Sequence, residues 1–108
     1  MTLSELYTLL KSITGFKTKV TYRAWPEGKA PQLPFICYLE RGTNNFKADG
    51  KVYQKITYVD VELYTSKKEP AAEELIEQLF DDNDIPWDKS EIYIDSEHCF
   101  EIVYEITI

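Results

Sequence analysis

The sequence predicts an α+β domain: helix, three strands, helix, two strands (helix-β-β-β-helix-β-β). The sheet is mostly antiparallel, with both helices packed on one face. Three observations predict it. Two segments space their apolar residues as helices do: Leu3, Leu6, Leu9, Leu10 and Ile13, then Ala72, Leu75, Ile76, Leu79 and Phe80. The remaining segments alternate β-branched or aromatic residues with polar ones, the pattern of half-buried strands. Strands also follow one another directly rather than alternating with helices, which favours antiparallel pairing with helices to one side. At 108 residues, the chain fits one domain, 1–108.

Thr2 and Glu5 stand three apart, a capping box that opens the first helix, and Gly15 supplies its stop. Lys17 to Trp25 alternates and is read as a strand. Pro26, Pro31 and Pro34 with Gly28 then make a loop. Phe35 to Glu40 is the second strand, apolar on both faces at its start. Gly42 to Lys51 is turn chemistry throughout. It is longer than a tight hairpin needs and holds one lone aromatic, Phe46, so it is either a loose tip or a contact arm.

The longest strand signal, Tyr53–Thr65, contains neither Gly nor Pro and is expected at the centre of the sheet. Its alternation puts Thr57, Val59, Val61 and Leu63 on one face. Ile56, Tyr58, Asp60, Glu62 and Tyr64 fall on the other. The second helix spans Pro70 to Asp82, with Pro70 tolerated in the first turn. It ends in Asp81, Asp82, Asn83 and Asp84, acidic residues that oppose the helix dipole and should fray. Glu91–Asp95 and Cys99–Ile108 are the last strands, joined by a turn at Ser96-Glu97-His98.

A net charge of −7 argues against a phosphate-backbone binder and suits solubility, avoidance of DNA or docking to a basic partner. No apolar run approaches a membrane span, and the first residues lack the pattern of a signal peptide, so the expected compartment is a cytoplasm. Cys37 and Cys99 lie in apolar strands and read as reduced core thiols.

His98 is the sole histidine and falls in a turn, which leaves no His-based catalytic set. The acidic cluster at 81–84 lacks the glycine and distal glutamate of a calcium loop. Asp60 and Glu62 could pair as carboxylates, but Lys19, Arg23 and Lys55 are expected to partner them across the sheet. No catalytic, cofactor-binding or metal-binding residue is assigned, and the expectation is a protein that is not an enzyme. Two short helices cannot cover Tyr22, Trp25, Tyr58, Tyr64, Trp87 and Tyr93 together. An uncovered aromatic sheet face suggests a subunit interface including Phe46, Tyr58, Tyr64 and Trp25. Tyr64→Ala and Phe46→Ala are expected to weaken assembly without breaking the fold.

The runs Glu62–Glu73, Ile85–Glu91 and Phe100–Glu105 resemble small structural proteins of siphophages and prophages of Gram-positive hosts. These are tail-terminator, tail-completion or minor structural proteins at the head–tail joint. The element order is also similar to the tail-terminator fold, an α+β domain with a curved sheet. The resemblance implies a virion protein made in the host cytoplasm and placed at the head-proximal end of the tail. It implies a homo-oligomer, a hexameric ring, that contacts the tail tube and head-completion proteins and lets DNA pass without specific binding. It carries over no catalytic residue, no cofactor and no membrane contact.

Two rivals belong to other classes. A small acidic inhibitor mimicking nucleic acid would array its carboxylates along one face, whereas in sequence Lys and Glu are interspersed. A small enzyme or ligand-binding domain would need a pocket with convergent polar groups.

Overall fold

The computed structural model describes residues 1–108 as an α+β fold, in agreement with the fold class read from the sequence. Helix α1 (Leu3–Lys11) starts at the expected capping box: Glu5 N–H donates to Thr2 Oγ1 and Thr2 N–H donates to Glu5 Oε1, both at 3.1 Å. It is shorter than expected. Tight turn bonds from Ser12 and Ile13 N–H back to Leu9 and Leu10 O close it before Gly15, whose φ of +92° turns the chain away.

Strand β1 shrinks to Val20–Tyr22, a correction to the strand read over Lys17–Trp25. Arg23 takes a left-handed φ of +64° and ends the extended run. Strand β1 pairs parallel to β2 (Phe35–Thr43), and residues 23–34 form the return loop between them. A parallel return takes about a dozen residues, as this loop supplies.

The expected central strand is divided. Its first residues belong to a separate two-stranded hairpin, β3 (Phe46–Ala48) with β4 (Lys51–Gln54), and β5 (Thr57–Thr65) is the sheet strand. Asp49 and Gly50 form the hairpin turn with φ of +53° and +73°, the mirror-image turn that an Asp-Gly pair favours. The loop expected at 42–51 is therefore part structure: the end of β2, then an arm.

Helix α2 (Pro70–Asp82) matches its expected limits. Its inner stripe does not: Leu75 is exposed and Glu73 is buried in its place. Its acidic end is tied down rather than fraying. Asn83 Nδ2 donates to Leu79 O at 2.8 Å, and Trp87 Nε1 to Asp81 Oδ1 at 2.9 Å. Strands β6 (Trp87–Ile94) and β7 (Cys99–Thr107) complete the sheet, with His98 left-handed in the short turn between them.

The main sheet runs β1-β2-β5-β7-β6, so β5 is central as expected, and every pairing except β1–β2 is antiparallel. One face carries Ile36, Tyr38, Val59, Val61, Leu63, Ile102, Tyr104 and Ile106, packed against Leu6 and Leu10 of α1 and Ile76 and Phe80 of α2. Antiparallel register explains the single core: Val61 lies opposite both Tyr38 and Tyr104, and Leu63 opposite both Ile36 and Ile102. Cys37 and Cys99 are free and buried. No helix is long and apolar enough to cross a membrane.

At the β6 edge, the helix face is polar. Buried Glu73 receives Lys68 Nζ at 2.7 Å on Oε2 and Lys89 Nζ at 3.2 Å on Oε1. Lys89 also lies 2.8 Å from Glu77, whose carboxylate accepts the Tyr104 hydroxyl at 2.7 Å. Burial pushes the Glu77 carboxyl up, but the bonds from Lys89 and Tyr104 outweigh it and hold the carboxyl below its ordinary value. This network fixes α2 over β6 and β7, where the core stripe runs out.

Candidate interaction surface

The sheet face opposite the helices is covered by no element of secondary structure. Residues 23–34 fold beside its β2 end, where Trp25 packs edge-on to Phe35 and Phe35 packs at a tilt on Tyr64, with centroids 5.8 and 5.3 Å apart. Of the six aromatics considered for this face, Trp25, Tyr58 and Tyr64 are on it. Tyr22 instead packs on Tyr38, Trp87 on Tyr104 and Tyr93 on Phe100, all on the helix side.

Across the strands, the open-face side chains fall into rows set by register. Phe35, Tyr64, Glu101 and Ile92 form one row; Cys37, Glu62, Val103 and Ser90 the next; Leu39, Asp60, Glu105 and Asp88 the third. The third row puts three carboxylates directly opposite one another on β5, β7 and β6. Like charges in that position destabilise a sheet. Arg41, two residues after Leu39 and so on the same face of β2, offsets one of them: its Nε lies 2.6 Å from Asp60 Oδ1. Glu105 and Asp88 have no cation within ion-pair distance. The expected partners Lys19, Arg23 and Lys55 pair with neither Asp60 nor Glu62.

Glu62 sits in a different setting. The Tyr64 hydroxyl is 3.1 Å from its Oε1 and 2.8 Å from Glu101 Oε2, and so links two carboxylates on adjacent strands. Desolvation first, then the charge of Glu101, pushes the Glu62 carboxyl up to about 7, against the lowering effect of the Tyr64 hydroxyl. Burial beside these acids pushes the Cys37 thiol up to about 12, so it stays protonated and inert at neutral pH.

A groove of about 350 Å³ lies at one end of the face, lined by Arg41, Tyr58, Pro86, Trp87, Asp88 and Glu105. Tyr58 is held there, its hydroxyl accepting from Asn44 Nδ2 at 3.1 Å and the Arg41 guanidinium 5.4 Å from its ring centroid. No group of three or more His, Cys, Asp or Glu side chains stands close enough to hold a metal ion.

The β3–β4 arm leaves the sheet at the Thr43–Thr57 pair and packs appreciably on no other element. The molecule is elongated, 50 × 30 × 23 Å along its principal axes. Phe46 is 59 % exposed, Val52 46 % and Tyr53 63 %, the largest concentration of uncovered apolar side chains in the chain. Covering them would stabilise by roughly 1.5–3 kcal/mol for each side chain fully buried. An isolated two-stranded hairpin is marginal in water, so such an arm gains by finding a surface.

Phe46 thus stands in the open. Tyr64 is half-buried between Phe35 and two carboxylates, so Tyr64→Ala would weaken the monomer as well as any contact. Sequence reasoning left a contact arm open at 42–51 but missed its β3–β4 pairing and the exposed Val52 and Tyr53; the Asp49-Gly50 pair was the signal for them. Comparison with family models, curated proteins and solved structures gives no match to this chain.

Proposed function

We propose that the protein is a structural assembly subunit of a phage or prophage virion, a tail terminator or tail-completion protein that forms a closed ring at the head-proximal end of the tail. One observation carries this reading: a projecting arm with Phe46, Val52 and Tyr53 exposed, on a domain whose sheet face is also uncovered. Both features present binding surface, and neither holds a set of groups aimed at bond chemistry. The resemblance of Glu62–Glu73, Ile85–Glu91 and Phe100–Glu105 to head–tail joining proteins supplies the setting, with a ring of about six subunits as closed cyclic symmetry allows. A net charge of −7 suits a ring through which DNA passes without being held.

The row Asp60, Glu105 and Asp88 favours a second reading, a small acidic inhibitor that presents carboxylates to a basic enzyme surface. Negative-stain imaging of the purified chain at high concentration separates the two. Closed rings with an open lumen are expected; a monomer that captures a nuclease or repressor at nanomolar affinity would replace the ring with the inhibitor.

A further inference from the structure

The arm and the open face are opposite in charge. Residues 44–55 carry Lys47, Lys51 and Lys55 against Asp49 alone, a basic projection on a chain of net −7. Cross-strand pairing puts Lys47 beside Val52 on one face of the arm, while Lys51 and Tyr53, two residues apart, share the other. Each face of the arm therefore offers a lysine next to an apolar side chain. The open sheet face offers the complement: the unpaired carboxylates of Glu105 and Asp88 lie beside half-buried Val103 and the groove at Tyr58.

We propose that the β3–β4 arm of one copy lies on the open sheet face of a second copy, its lysines meeting Glu105 and Asp88 and its apolar side chains covering Val103 and the Tyr58 groove. This contact rests on the reading of the chain as a self-assembling subunit. It joins two different patches, so it is head-to-tail, and repetition closes a ring or extends a filament according to the rotation per step. It answers two unfavourable features at once. The arriving lysines neutralise carboxylates that face each other across β6 and β7, and the arm buries side chains that water otherwise surrounds. The arm does not serve its own face in the same way, because it departs from the end of β2 and β5 and packs appreciably on no other element.

The test is a charge swap read by light scattering after gel filtration. Lys47→Glu with Lys51→Glu alters the arm, and Asp88→Lys with Glu105→Lys alters the face; all four side chains are exposed, so the fold should survive. Each double variant alone is expected to associate at least tenfold more weakly than the native chain. An equimolar mixture of the two should regain native association, because each altered arm then meets an altered face.

Rings of native size in both separate variants would overturn the arm contact and leave the ring reading standing. Charge-dependent association that yields open filaments or dimers would uphold the arm contact and overturn the ring. A native chain that stays monomeric yet binds a basic protein through Asp88 and Glu105 would overturn the arm contact in favour of a foreign occupant.

Discussion

Glu62 is the carboxylate whose chemistry the fold alters most. Its folded carboxyl titrates at about 7 against an ordinary 4.5. Between those values the folded chain holds a proton that the unfolded chain has lost, so stability falls as pH rises through that window. Glu62 is half-exposed, and solvent screening cuts the loss to about 1 kcal/mol. Thermal melts of Glu62→Gln should therefore show a smaller drop in Tm from pH 5 to pH 8 than the native chain, and a higher Tm at pH 8. An unchanged pH slope would mean that Glu62 ionises normally.

Asp88 makes a related case. It faces Glu105 with no cation nearby, so Asp88→Asn should stabilise the monomer by about 0.2–1 kcal/mol while weakening self-association. A variant that loses both stability and association would place Asp88 in the fold rather than in a contact. The alternation of polar and apolar residues revealed which side chains share a face. It did not reveal that Asp60, Glu105 and Asp88 share a row, because register depends on pairings between distant segments. The same limit explains why Arg41, brought beside Asp60 by the β2–β5 pairing, replaced the expected partners of Asp60.

At the scale of elements, most of the architecture was legible because its signals are local. The Thr2–Glu5 capping box, the Pro70 helix start and the alternation in Cys99–Thr107 need no distant information. Helix α1 ends early and β6 begins before Glu91, and three further departures have a physical reason in their neighbours. Strand β1 is short because Arg23 turns left-handed. Helix α2 buries Glu73 where Leu75 was expected because Lys68 of the preceding turn and Lys89 of β6 reach it. The central strand is divided because the residues before Thr57 pair with Phe46–Ala48 instead of with the sheet. Strand composition alone cannot distinguish those partners.

The arm is separable from the fold on this account. Thr43 and Thr57 are already paired, so a two-residue Asn-Gly turn replacing residues 44–56 would join β2 to β5 as an ordinary hairpin. That variant should melt cooperatively within a few degrees of the native chain, as followed by circular dichroism. A large fall in Tm would show that the arm stabilises the monomer and is not reserved for a partner.

At the scale of the whole molecule, two uncovered surfaces of opposite charge sit on one rigid core. The acidic row lies on one face of the sheet, and the basic arm leaves from the end of β2 and β5. A monomer in isolation leaves both unsatisfied, whereas a chain of copies satisfies each with the other. The most direct measurement is sedimentation equilibrium of the native chain beside the chain whose residues 44–56 are replaced, over a wide concentration range. The native chain should gain mass with concentration towards a closed oligomer while the replaced chain stays a folded monomer. Equal masses for the two chains at every concentration would contradict the arm contact.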